Sequence, residues 1–262
     1  MDAQQRACRA YVARRVISLT DATDLSEGST QQSVTKLCED ALRVPRAAAV
    51  CVWPWAVKFI KYGLPSRLPE AAQLTVATVL NFPTGKGNVE TVTAEAIQVI
   101  SDGADELDLV VDWELLNRDA KAGETALRAL VTAVRQVSGT ALLKVILETG
   151  MLCSDVPDLV FRASMAALES GADMLKTSTG KVAVNATLPA VRDMCHAIKK
   201  YQALHTDSRI VGIKIAGGVK SLDVAAQYLS LVTDELGADF ITKKTFRIGA
   251  SSLLAVAREC VV

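Results

Sequence analysis

The chain has 262 residues, half of them hydrophobic and 22% charged, with 29 basic and 29 acidic side chains. That length suits one domain with a large core, and the zero balance gives no electrostatic reason to expect nucleic acid or an anionic membrane as partner. Six cysteines without a CxxC or zinc spacing argue against a disulfide framework and for a reducing compartment, the cytoplasm. No run of 18 apolar residues suggests a membrane span, and the first ten residues lack the apolar stretch of a signal peptide.

The elements in chain order begin with an extra helix around Ala7 to Val16. Eight strands then follow, centred near Leu19, Cys51, Ala77, Leu109, Lys144, Leu175, Gly212 and Ile241. Apolar residues recur at helical spacing between them. Val34, Leu37, Cys38, Ala41 and Leu42 mark one helix. Leu127, Leu130, Val131 and Val134 mark another, closed by Gly139. Val160, Phe161, Ser164 and Leu168 mark a third, with Asp155 as its expected N-cap. Ser221 is expected to cap the helix that starts at Leu222, and a short helix starts near Leu253. The tripeptide Gly-Ala-Asp occurs at 103, 171 and 237, each time after a helix-like segment and before an apolar run. Glycine there suits the C′ position of a helix, so the runs LDLVV, MLKTS and FITKK read as strands. Strands alternating with helices imply a parallel sheet, and eight units favour an α/β TIM (β/α)8 barrel, a single domain over residues 1–262.

In such a barrel one face of each strand packs under helices and the other points inward. Leu107, Leu109, Val111, Leu143, Val145, Leu147, Leu175, Val211, Ile213, Val50 and Val52 are the expected outward set. Asp108, Lys144, Ile146, Glu148, Lys176, Gly212, Lys214 and Cys51 fall on the inward face. Unpaired buried charge is costly, so three lysines converging on a carboxylate is a pattern to expect of a site. Only two histidines occur, His196 and His205, both in a stretch that reads as a surface helix and its end. Imidazole is the commonest metal ligand and general base, so the chemistry falls to lysine and carboxylate and no metal is expected. Lysine becomes a nucleophile when burial or a second cation lowers its pKa. Two ammonium groups about 5 Å apart, at an effective dielectric of about 20, repel by roughly 3 kcal/mol, or about 2 pKa units. Lys214 beside Lys176 would supply that. Three segments could take an anion: Ser178-Thr179-Gly180-Lys181 after the sixth strand, Gly217-Gly218-Val219-Lys220-Ser221 after the seventh, and Gly249-Ala250-Ser251-Ser252 after the eighth. Barrels often bind phosphate in this region.

The run Met174 to Thr187 (MLKTSTGKVAVNAT) resembles the Schiff-base motif of the deoxyribose-phosphate aldolase family, and Val211 to Val219 (VGIKIAGGV) resembles that family's second-lysine motif. GADELD at 103–108, NFPTG at 81–85, LKVILETG at 143–150 and RIGASSLL at 247–254 are similar too, so the resemblance spans roughly residues 17–256. It implies a class I aldolase that reversibly cleaves 2-deoxy-D-ribose 5-phosphate to glyceraldehyde 3-phosphate and acetaldehyde, without cofactor. By the same resemblance Lys176 forms the imine, Lys214 lowers its pKa and Asp108 relays protons through a water. Asp21, Cys51 and Lys144 belong to the inner pocket, and Gly180, Lys181, Gly217, Gly218, Ser251 and Ser252 hold the phosphate. A homodimer is expected on this ground alone. The sequence departs from the family in two places. Ile215 stands where many members have proline, and the last tyrosine is Tyr228, whereas some members end in a tyrosine that assists proton transfer. Two other readings stay open: another Schiff-base barrel, an aldolase or transaldolase-like enzyme, and a weakened barrel used as a binding scaffold.

Overall fold

The computed structural model describes residues 2–152, 155–205 and 209–261. Its strands are β1 (Thr20–Asp24), β2 (Ala49–Val52), β3 (Val76–Leu80), β4 (Glu106–Val110), β5 (Leu142–Ile146), β6 (Met174–Lys176), β7 (Gly212–Ala216) and β8 (Phe246–Ala250). All pair in parallel, each with its sequence neighbours, and β8 closes on β1. The α-helices are α1 (Ala3–Ser18), α2 (Gln31–Leu42), α3 (Pro54–Lys58), α4 (Val89–Ser101), α5 (Trp113–Arg118), α6 (Ala120–Val137), α7 (Leu159–Glu169), α8 (Leu188–Leu204), α9 (Leu222–Leu236) and α10 (Leu253–Glu259). This is a (β/α)8 TIM barrel with an additional N-terminal helix, α1, packed against α9 and α10. No helix among the described residues is long and apolar enough to cross a membrane.

Strand parity sorts the core into two layers. Val50, Val52, Leu107, Leu109, Val111, Leu143, Val145, Leu147, Leu175, Val211 and Ile213 all lie in the apolar layer between barrel and helices. Full burial of each such side chain is worth about 1.5–3 kcal/mol. Cys51, Ala77 and Val79 form a separate apolar group with Leu25. Ile215, on the outward face of β7, is a buried member of the outer layer.

Three expectations are corrected. The first strand starts at Thr20 because α1 runs on to Ser18, with Leu19 as its C-cap. The N-cap of α7 is Asp158, whose left-handed backbone makes no side-chain cap; Asp155 lies before it. The largest error concerns β8. Ala238–Phe240 form a 3-10 turn, and the strand is Phe246–Ala250. The Gly-Ala-Asp repeat explains why. Gly103, Gly171 and Gly237 all have positive φ, as helix ends require. Asp105 then pairs with β3, its carboxylate accepting from Val76 N–H at 2.7 Å, and Asp173 pairs likewise with β5, accepting from Leu143 N–H at 2.8 Å. Asp239 sits in the 3-10 turn instead, and the chain needs one more turn before it enters the barrel.

Candidate active site

The inward face of the barrel carries four cations, Lys144, Lys176, Lys214 and Arg247, and three carboxylates, Asp21, Glu106 and Asp108. Register explains the convergence. Asp108 is opposite Lys144 across β4 and β5, Lys176 opposite Lys214 across β6 and β7, and Lys214 opposite Arg247 across β7 and β8. The Asp108 carboxylate is the hub: Oδ1 accepts from Lys144 at 2.6 Å, while Oδ2 accepts from Lys176 at 2.6 Å and Lys214 at 2.8 Å. Lys214 also meets Asp21 at 2.6 Å, and Lys144 meets Glu106 at 2.7 Å. Arg247 bridges Asp21 at 2.5 Å and Glu106 at 2.8 Å. The Cys51 thiol lies 3.8 Å from Asp108 Oδ2.

Every cation except Lys176 therefore contacts at least two carboxylates; Lys176 contacts Asp108 alone. By direct ion pairs, Lys176 is thus the least compensated of the four cations. Burial, helped by the Lys214 charge, pushes the Lys176 amine below its ordinary pKa against the pull of Asp108. Burial also opposes the charge on Lys214, but Asp108 and Asp21 outweigh it and hold that ammonium well above its ordinary value. The Asp108 carboxyl resists burial in the same way: its three lysines hold it well below the carboxylate range. Burial raises the Cys51 thiol. The arrangement thus keeps Lys214 as a permanent cation next to a lysine that can lose its proton.

Two local devices fix these neighbours. The Thr177 hydroxyl donates to the Ala216 carbonyl and accepts from Ala216 N–H, both at 2.9 Å, which clamps β6 to β7 just beyond the lysine pair. On β8, Gly249 leaves room for Lys214, whose Cε would lie 2.9 Å from a Cβ at that position.

A cavity of about 340 Å³ opens above the hub, at the C-terminal ends of β1, β6, β7 and β8. Lys176, 3% exposed, is the one member of the interior set that lines it. Gly180, Lys181, Gly217, Gly218, Ser251 and Ser252 all line the same cavity, together with Lys220 and Asp24. Lys181 spans the mouth, its ammonium donating to the Leu25 carbonyl at 2.8 Å. Gly217 is required by its surroundings: φ is +82° and a Cβ would come within 2.4 Å of Asn185 Oδ1. Asp21, Cys51 and Lys144, expected in the pocket, lie in the fully buried layer beneath it. His196 is exposed beside Glu235 and His205 stacks on Tyr201, both away from the cavity. Tyr228 is buried and donates to the Ala186 carbonyl.

Sequence reasoning missed Glu106, Arg247, and Glu148 as a partner of Thr179. Glu106 was legible, being two residues before Asp108 on the same face. Arg247 was hidden by the misplaced eighth strand.

A model of DeoC/LacD family aldolases matches residues 15–258. A divergent deoxyribose-phosphate aldolase-like protein of Toxoplasma gondii is 33% identical over 98% of this chain and 94% of its own length. A crystal structure of a candidate deoxyribose-phosphate aldolase from Toxoplasma gondii ME49 superposes with a TM-score of 0.92 at 34% identity, covering 98% of this chain and 96% of that one. The tetrameric deoxyribose phosphate aldolase of Aeropyrum pernix, 24% identical, shares the fold with a TM-score of 0.70 over 99% of this chain and 98% of its own. With a family model that spans nearly the whole barrel and relatives aligned along its full length, the chain belongs to the DeoC/LacD family of aldolases.

Proposed function

We propose that the protein is a class I aldolase that reversibly cleaves 2-deoxy-D-ribose 5-phosphate into D-glyceraldehyde 3-phosphate and acetaldehyde through an imine on Lys176. The observation that carries this reading is that Lys176 alone among the interior lysines reaches the cavity, with one carboxylate partner and a lowered pKa. Its neutral amine adds to the substrate aldehyde carbon, and the carbinolamine loses water to a protonated imine. Removal of the proton from the hydroxyl two carbons along lets the intervening C–C bond break. Its electron pair moves into the imine, glyceraldehyde 3-phosphate leaves, and acetaldehyde remains on Lys176 as an enamine until it is protonated and hydrolysed.

Asp108, acting through a water, is assigned the proton transfers of the carbinolamine and imine steps. Lys214 keeps Lys176 deprotonated in the resting site, and Asp21, Cys51 and Lys144 hold this pair from below. The phosphate is assigned to Gly180, Lys181, Gly217, Gly218, Ser251 and Ser252, whose segments offer backbone N–H groups, hydroxyls and a lysine at the far side of the cavity. Anchoring there orients the reacting carbon. The chemistry uses no cofactor. A second reading has one specific observation in its favour, the description of the Toxoplasma relative as divergent: the same imine chemistry with a different phosphorylated aldehyde. Incubation with 2-deoxyribose 5-phosphate and quantitation of acetaldehyde and glyceraldehyde 3-phosphate decides between them. Equimolar products support the first reading. No products alongside turnover of another aldehyde phosphate support the second.

A further inference from the structure

Glu148 is a fully buried carboxylate to which the imine chemistry gives no task. It follows β5 with its backbone in the left-handed region, φ 54° and ψ 49°, a conformation that side chains other than glycine rarely adopt. The surroundings hold it there. Met151 N–H donates to its carbonyl at 2.9 Å, and the next residue, Thr149, donates to the Thr177 carbonyl at 2.8 Å. Gly150 packs so closely on the Val184 and Asn185 carbonyls that a Cβ would approach them to 2.3 Å. The turn aims the carboxylate at the segment after β6. Oε1 accepts from Thr179 N–H at 3.1 Å and Oε2 accepts from the Thr179 hydroxyl at 2.6 Å. Burial raises this carboxyl, while the Thr179 bonds and the Lys176 charge oppose the rise.

A threonine hydroxyl has one proton and two lone pairs. Here the proton goes to Glu148, and Lys181 N–H donates to the oxygen at 3.0 Å. One lone pair is left, on a residue that lines the cavity. In sequence Thr179 lies between Lys176 and the Gly180-Lys181 segment, so the substrate atoms nearest it are those between the carbonyl and the phosphate. We propose that Glu148 is a positioning residue: it fixes the Thr179 hydroxyl as a hydrogen-bond acceptor toward the cavity and so selects, in the addition direction, acceptor aldehyde phosphates with a hydroxyl on the carbon beside the aldehyde, the carbon that becomes C4 of the product sugar. The inference rests on the Schiff-base reading given above.

Glu148→Gln is nearly isosteric, but its amide would donate to the Thr179 oxygen and turn the threonine proton outward. The test compares kcat/KM for acetaldehyde addition to D-glyceraldehyde 3-phosphate and to 3-oxopropyl phosphate, which lacks that hydroxyl. It uses the unmodified protein, Glu148→Gln, Thr179→Val and the double variant. Glu148→Gln is expected to lose roughly 10- to 100-fold on the hydroxylated aldehyde and to change about 3-fold or less on the other. In the Thr179→Val background it should change less than about 2-fold, because its effect runs through that hydroxyl. Equal losses on both aldehydes, or the same loss with and without Thr179, overturn the proposal. If Glu148→Gln does not fold, Thr179→Val decides: lost discrimination between the aldehydes supports the proposal, and retained discrimination overturns it. Borohydride trapping with acetaldehyde on the same preparations separates the two levels. No adduct on Lys176 in the unmodified protein overturns the Schiff-base reading and this one with it, whereas an adduct without selective loss overturns the role of Glu148 alone.

Discussion

Replacing Lys214 by leucine removes the cation next to the proposed nucleophile. Lys214 and Lys176 donate to the same oxygen of Asp108, at 2.8 and 2.6 Å. At a separation of about 5 Å and an effective dielectric of about 20, their repulsion is roughly 3 kcal/mol, or about 2 pKa units. Without it Lys176 binds its proton more tightly, so the neutral fraction at pH 7 falls about 100-fold and kcat/KM falls with it. The sign sets the pH profile. A nucleophile whose pKa has risen recovers its rate as the pH rises, so the ascending limb moves upward by about 2 units. The fold should survive, because Asp21 keeps Arg247 at 2.5 Å, at a cost in stability of about 3–5 kcal/mol for breaking a buried pair. Rates are measured from pH 6 to 10 below the variant's melting temperature, with circular dichroism as the check on folding. A near-normal rate at pH 7, or a rate lowered equally at every pH, would refute the reasoning.

Three further outcomes follow from the geometry. Ser252→Asp places a negative charge on the cavity wall assigned to the phosphate, so KM for the phosphorylated substrate should rise about ten-fold or more at low salt; an unchanged KM moves the phosphate elsewhere. Gly217→Ala and Gly218→Ala share a φ of +82°, but only at position 217 would the new Cβ meet another side chain, within 2.4 Å of Asn185. Urea unfolding should therefore show about 1–2 kcal/mol lost at Gly218 and clearly more at Gly217, and equal losses would contradict the packing argument. Asp21 and Asp108 are held below the carboxylate range by their cations, against the burial that opposes ionisation. The unfolded chain thus takes up protons first as the pH falls below about 4. Their contribution is complete above that pH and lost as the pH falls toward the folded-state pKa. Urea midpoints should drop steeply as the pH falls below about 4, and less steeply in Asp108→Asn; parallel slopes would argue against the coupling.

The sequence carried the barrel and its lysine hub because both depend on a period of two. Once β4, β5, β6 and β7 were placed, inward parity alone put Asp108, Lys144, Lys176 and Lys214 on one face, and the structure joins them by bonds of 2.6–2.8 Å. Parity fails where a strand is misplaced, which is how Arg247 escaped. The apolar pair Phe240-Ile241 lies nearer the Gly-Ala-Asp signal than Phe246 and Ile248 do, and nothing local reveals that the chain turns at Ala238–Phe240 first. Glu148 was placed inward by counting, but its bonds to Thr179 depend on a left-handed turn that no periodicity encodes. Depth was also illegible. Parity turns Cys51 and Lys144 toward the barrel axis, and the family resemblance adds Asp21, but neither says that they lie in a closed layer below the cavity, since height in the barrel depends on strand stagger.

The most direct test of the central claim is to trap the imine. The protein is incubated with acetaldehyde and reduced with borohydride, and its peptides are mapped by mass spectrometry. The account predicts one ethyl group on the peptide containing Lys176 and its loss in Lys176→Arg, with Lys144 and Lys214 unmodified because neither reaches the cavity. An unmodified Lys176, or an adduct carried by Lys214 instead, would contradict it.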